Sequence, residues 1–173
     1  PGLTSGTGGL CRDRDLIHER DAFQLDPGAQ DDWRQHHGYP PRENRVIDIS
    51  LFHYSDAPVD WLREGLEKMG APVRFFVPGV THPFLSQEGY SRLLWTCDVN
   101  FVRGEDSFTQ ALWAAKPLVW HIYKQENDAH MVKLRAFLNL YGAEMLENFM
   151  ILWNERDRAP QDRPPNGVAD WFA

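Results

Sequence analysis

The sequence is poor in cysteine, in clustered cations and in long apolar stretches. Cys11 and Cys97 are the only cysteines among 173 residues. They stand in no metal-ligand spacing and form no secreted disulfide framework, which reads as reduced thiols in a cytoplasmic protein. No apolar stretch approaches the roughly 18 residues that read as a membrane span. The first residues lack the basic and apolar regions of a signal peptide. Eighteen Lys and Arg face 25 Asp and Glu, a net charge of −7. No run of cations is arranged to neutralise a phosphate backbone, so nucleic acid is not expected as a partner. An acidic surface still leaves room for a local cationic pocket that takes one small anion.

Several catalytic signatures are missing as well. There is no GxSxG elbow for a nucleophilic serine. Gly6-Thr7-Gly8-Gly9 has no preceding strand and no following Lys-Ser/Thr, as a P-loop requires. His36-His37, His121 and His130 lack HxxxH spacing and carboxylate partners, so no metal is expected. A solvated pair and two buried or capping histidines are the simpler reading.

What is present is an ordinary globular balance, 42% hydrophobic and 25% charged, with seven Trp, ten Phe and five Tyr. That length suits one domain with a real core, and most of the aromatics belong in it. The abrupt start at Pro1-Gly2-Leu3 and the apolar end through Trp171-Phe172 suggest a piece of a longer chain.

Residues 1–25 read as a Gly-rich loop or hinge and a first short helix beginning near Asp13. Residues 26–45, with Pro27, Gly28, Asp31-Asp32 and Pro40-Pro41, read as a polar surface excursion. Strand and helix then alternate. Val46 to Phe52 is apolar enough for a buried strand, and Asp56 is placed to cap the helix that Gly70 stops. Val73 to Val77 is a second strand, and Ser86 caps the helix after it. Asp98 to Val102 and Leu118 to Ile122 are the third and fourth strands, with a helix from about Asp106 to Ala115 between them. Helices over 126–140 and 143–153 follow, and 156–173 is a Pro- and Arg-rich linker with an apolar end. Alternation with short connections, over a core of 46–155, predicts an α/β fold: a Rossmann-like, doubly wound parallel sheet. Such sheets bind ligands at the carboxyl ends of their strands.

The turn after the third strand, Arg103-Gly104-Glu105-Asp106-Ser107, is the strongest candidate site. Gly104 permits a tight bend and a close approach of the backbone. Unpaired N–H groups and the positive dipole end of the next helix face whatever binds there. Ser107 offers a hydroxyl to a phosphate and Arg103 a fixed charge. Glu105 is suited to sugar or ribose hydroxyls, and Asp106 to orienting the backbone or Arg103. From the residues alone, an anion site and a helix cap with an incidental salt bridge are equally good readings. Phe84 and Gln87 follow the second strand, where an aromatic can stack on a base and an amide can match a pyrimidine edge; core packing and a first-turn helix residue are the alternatives. Tyr123 follows the fourth strand at the same edge.

Read together, Asn100 to Phe108, Gln110 to Ala114 and Pro117 to Tyr123 resemble one family. It is the bacterial protein-arginine rhamnosyltransferases that modify translation elongation factor P. Ser50-Leu51-Phe52-His53-Tyr54 and the stretch from Asp128 through Lys133 to Tyr141 resemble it too. Lys124 stands where the family pattern has Pro, and Thr109-Gln110 also depart from it. The resemblance implies the carboxyl-terminal, donor-binding half of a two-domain GT-B glycosyltransferase. It implies metal-free inverting transfer of L-rhamnose from dTDP-β-L-rhamnose to an arginine of elongation factor P. Carried over, Phe84 would stack on thymine with Phe23 opposite, and Gln87 would read the base edge. Arg103, Gly104, Asp106, Ser107 and Tyr123 would surround the diphosphate. Glu105 would sit nearest the sugar and be needed for turnover. The general base, an aspartate, would belong to the amino-terminal half, so this chain alone would transfer nothing. A non-catalytic nucleotide-binding module, or another nucleotide-sugar GT-B enzyme, would use the same grip.

Overall fold

The computed structural model describes residues 10–70, 72–142 and 144–155. Its centre is one parallel sheet of four strands, β1 (Ile47–Leu51), β2 (Val73–Phe76), β3 (Val99–Arg103) and β4 (Leu118–His121), in the order β2-β1-β3-β4. Ile49 lies between Phe75 and Val99, and Val102 pairs with Trp120. The two inner strands are buried nearly end to end, which is why they read as continuous apolar runs rather than as an alternation.

Helices cover both faces. Between the strands run α3 (Val59–Met69), α4 (Gln87–Thr96) and α5 (Asp106–Ala114), and α6 (Ala129–Tyr141) and α7 (Glu144–Glu155) follow β4. On one face Trp61 of α3 stacks on Phe149 of α7 at 5.3 Å, and Trp153 meets the ring of Phe101 at 4.8 Å. On the other, Asn100 donates to the Leu94 carbonyl of α4 at 2.9 Å. Neighbouring strand residues point to opposite faces, so Asn100 and Phe101 report two separate layers. Asn154 locks α7 to the sheet: its amide donates to the Trp120 carbonyl and its oxygen accepts from the Ile122 N–H. None of the described helices is long and apolar enough to cross a membrane.

Local chemistry sets the helix ends. Ser86 accepts from the Gly89 N–H at 3.1 Å and starts α4, and Gly70 ends α3 in the left-handed region at φ 67°. Asp56, expected to cap α3, does not: Pro58 occupies the cap without a side-chain hydrogen bond. Asp56 instead pairs with Lys124 at 2.7 Å, because a cation from the β4 edge lies within its reach.

The larger correction concerns 26–45. Only part of it is surface. Asp26 accepts from the Ala29 N–H and opens a helix, α2 (Pro27–His36), directly after α1 (Leu16–Leu25). Trp33, Arg34 and Tyr39 are buried. Arg34 donates to both the hydroxyl and the carbonyl of Thr96 and pairs with Asp48 at 2.8 Å, both partners fully buried. Arg74 and Arg42 reach the same carboxylate, and Arg42 also grips Asp98. Single-sequence periodicity reports apolar stripes; here a buried cation, matched to a carboxylate on β1, does the anchoring. Residues 1–9 and 156–173, assigned above as a hinge loop and a terminal linker, lie outside the described residues.

Candidate functional site

The chain leaves β1 towards β2 and leaves β3 towards β4, in opposite directions across the sheet. That reversal opens a crevice between the carboxyl ends of β1 and β3. A cleft of about 380 Å³ lies there, with Phe52 and Tyr54 from the β1 end, Phe84 and Tyr90 from the β2–α4 side, and Arg103 and Glu105 from β3. A second depression, of about 400 Å³, lies at the other end of the sheet and is mostly apolar, with Ala111, Leu112, Pro117 and Tyr141 in its wall.

The turn at the cleft is held from every side. Gly104 has φ 63°, and a Cβ on it would stand 3.1 Å from the Tyr54 hydroxyl, so both conformation and space favour glycine. The Trp120 indole donates to the Gly104 carbonyl at 2.5 Å, and the Gly104 N–H donates to the His121 carbonyl. Ser107 closes the turn with its hydroxyl, which accepts from the Arg103 N–H at 3.0 Å and donates to the Arg103 carbonyl. Ser107 is 5% exposed and its hydroxyl is already engaged within the turn.

Beyond the turn, α5 begins without a side-chain cap at Glu105. Its first backbone bond runs from the Thr109 N–H to the Glu105 carbonyl. The N–H groups of Asp106, Ser107 and Phe108 precede that bond and have no partner within the helix. Arg103 stands beside them. Its guanidinium lies 4.1 Å from the centre of the Phe52 ring and 5.0 Å from that of Tyr54, and it donates to the His53 carbonyl at 3.0 Å. No described carboxylate forms an ion pair with it. An oriented arginine with no counter-anion among the described residues, next to helix N–H groups unpaired within the helix, is an arrangement suited to an anion.

Two carboxylates share the rim. Asp106 is exposed at the first position of α5. Glu105 is exposed and joined to Lys133 of α6 by a short charged hydrogen bond. That bond and the Lys133 charge hold its carboxyl below the usual range.

Phe84 is 74% exposed, and its ring covers Gly79 so closely that a Cβ there would lie 2.4 Å from it. The loop beneath is fixed by Thr81, which accepts from the Val77 N–H, and by His82, which stacks on Tyr39 at 4.1 Å. Tyr123 is 64% exposed and meets Tyr54 edge-on at 5.9 Å, outside the cleft lining. Gln87 is exposed at the first residue of α4, outside the lining. Phe23 is elsewhere. It is the one buried residue of α1, packed on Trp95 at 5.9 Å and Trp33 at 6.5 Å, because Gln24 binds α1 to the last carbonyls of α4 and α5. It cannot form the second face of a base site in this arrangement.

Three of the histidines pack within the fold, and His121 has the Asp56 carboxylate 3.6 Å from its Nε2, a partner not expected from the sequence. His37 stacks on Trp33 at 4.5 Å, His121 is buried under Tyr54, and His130 accepts from the Gln125 N–H. Sequence reasoning missed Phe52, Tyr54 and Tyr90 as cleft walls and Lys133 as the partner of Glu105. For Phe52 and Tyr54 a signal existed, since they directly follow the first strand at the edge where ligands bind. Lys133 gave none, because its approach depends on how α6 packs.

The family model described as "Elongation-Factor P (EF-P) rhamnosyltransferase EarP" matches residues 1–82 and 80–171. The chain belongs to this family. Among its relatives, a protein-arginine rhamnosyltransferase of Pseudomonas aeruginosa is 36% identical over 190 aligned positions, covering 89% of this chain and 50% of that protein. One from Shewanella oneidensis is 37% identical and covers 90% and 48%. A solved structure described as the basis of EarP-mediated arginine glycosylation of elongation factor EF-P matches with a TM-score of 0.72 and 30% identity. That match covers 99% of this chain and 63% of the other. The chain therefore spans about half the length of the curated EarP relatives it matches, and its Rossmann-like sheet is the fold of the corresponding part of the solved EarP structure.

Proposed function

We propose that this chain is the donor-binding, carboxyl-terminal half of an inverting GT-B glycosyltransferase. The whole protein transfers L-rhamnose from dTDP-β-L-rhamnose to an arginine of translation elongation factor P. The observation that carries the reading is the meeting of three elements in one cleft at the sheet reversal, in a chain of the EarP family. They are an arginine without a carboxylate partner among the described residues, an uncapped helix start and an exposed aromatic ring.

The chemistry distributes itself over these parts. Phe84 offers a face for the thymine ring, and Gln87, exposed at the start of α4, offers its amide to the base edge. Arg103 and the N–H groups of Asp106, Ser107 and Phe108 take the diphosphate. As the glycosidic bond breaks, negative charge grows on the departing dTDP, and preorganised donors stabilise that charge with little reorganisation. Glu105 lies on the sugar side of the turn, where its carboxylate can accept from rhamnose hydroxyls. Tyr123, edge-on to Tyr54, offers its hydroxyl to the phosphates. The acceptor guanidine needs a base to lose its proton as it attacks; that aspartate belongs to the amino-terminal half. This chain alone accordingly binds the donor and performs no transfer.

Mass spectrometry of elongation factor P incubated with dTDP-rhamnose and the full-length protein tests the reading. The unmodified enzyme adds one rhamnose to one arginine. Glu105→Ala retains dTDP binding and loses the product. Full activity in Glu105→Ala would remove the role given to that residue, and an acceptor left unmodified by the unaltered protein would remove the function.

A further inference from the structure

Around the turn, the two carboxylates of Glu105 and Asp106 stand beside the single cation Arg103. A diphosphate entering that set alone would meet a net negative rim. Lys133 changes the balance. It comes from α6, outside the turn, and its ammonium is bonded to the Glu105 carboxylate and lies 5.7 Å from the centre of the Trp120 ring. Trp120 in turn donates to the Gly104 carbonyl, so the lysine is seated on the same residue that braces the turn. Lys133 is 37% exposed and Glu105 is 73% exposed, so both can change partners without breaking the core.

We infer that Lys133 is the second cation of the donor site. In the empty cleft it holds Glu105 and neutralises it; when the donor enters, it transfers to the diphosphate and leaves the Glu105 carboxylate to the sugar hydroxyls. The inference rests on the donor-site reading above. A lysine suits this exchange because its ammonium is a point charge on a flexible stem, whereas the Arg103 fork is held in place by Phe52 and the His53 carbonyl. Lys133 acts as a binding and positioning residue, with no proton or bond of the reaction assigned to it.

The test is calorimetric titration of dTDP into the full-length protein and three variants: Lys133→Met, Lys133→Arg and Lys133→Met with Glu105→Gln. Lys133→Met keeps the stem and removes the charge, and weakens dTDP about tenfold, the scale of one charge-assisted contact. Lys133→Arg restores most of that loss. Glu105→Gln in the Lys133→Met background recovers only part of it, because it removes the carboxylate's repulsion of the diphosphate without replacing the lost cation. Unchanged affinity in Lys133→Met, beside normal binding by the unaltered protein, overturns the inference and leaves the donor site standing. A loss that neither second change recovers makes Lys133 a packing residue and also overturns it. If the unaltered protein does not bind dTDP, the donor site falls and this role with it.

Discussion

The guanidinium of Arg103, the last residue of β3, lies 4.1 Å from the centre of the ring of Phe52, the first residue after β1. Two parallel strands thus present one arginine to the cleft between them, with its plane set by an aromatic face and one N–H spent on the His53 carbonyl. A guanidinium fixed in this way keeps its remaining donors aimed at a ligand. Arg103→Ala should weaken dTDP by about 10- to 100-fold, corresponding to about 1.5–3 kcal/mol for a charged hydrogen bond. Arg103→Lys should recover little of this, since an ammonium loses the fork and most of the stacking. Equilibrium titration reads both, and thermal unfolding of the same samples should shift little.

Gly79 supports the ring of Phe84. Its φ is 79°, and a Cβ would sit 2.4 Å from that ring. Gly79→Ala should therefore displace Phe84 and strain the loop. The expected outcome is about a tenfold loss of dTDP affinity, the worth of one base–aromatic stack, with inorganic pyrophosphate binding unchanged. Phe84→Ala should give the same pattern without the strain. Equal losses for both ligands would show that Phe84 does not touch the base.

At the opposite ends of the strands, Asp48 carries Arg34, Arg74 and Arg42. Asp48 and Arg34 are fully buried, and removing one member leaves its partner's charge without compensation. Asp48→Ala should cost about 3–5 kcal/mol of stability, read as a lowered denaturant midpoint. Arg34→Met should cost less, because Arg42 and Arg74 still reach the carboxylate. Both lie at the far ends of the strands from the cleft, so dTDP affinity per folded molecule should remain.

His82 is held in the loop with a depressed pKa. Burial against Tyr39 and Phe76 lowers its pKa from the ordinary 6.5. A base whose folded pKa is depressed contributes stability above its unfolded value, and that contribution is lost as pH falls through 6.5 towards the folded value. Between those values the unfolded chain binds the proton first. His82→Phe should therefore flatten the acid side of the unfolding-midpoint profile in that window. An unchanged profile would contradict this role for His82.

The strands and helices of 46–155 were legible because a buried parallel strand reads as an unbroken apolar run and an amphipathic helix as a stripe. Ser86 and Gly70 marked their boundaries through simple capping chemistry. Residues 26–45 were misread because what anchors them is polar: Arg34 inside, with Asp48 and Thr96 as partners from distant positions. The turn at 103–107 was legible as a tight strand–helix junction, since strand end, glycine and helix start are consecutive. The use of each side chain there was not. Ser107 has its hydroxyl in the turn itself, Phe23 belongs to the α1–α4 core, and Lys133 reaches Glu105 across 28 residues. Such relations depend on packing between elements, which local patterns do not encode.

Calorimetric titration of the full-length protein with dTDP, dTDP-rhamnose, UDP and GDP tests the donor site most directly. The account predicts binding of dTDP and dTDP-rhamnose, weaker binding of UDP and none of GDP, with the dTDP signal lost in Arg103→Ala. Equal indifference of a folded sample to all four nucleotides would contradict it.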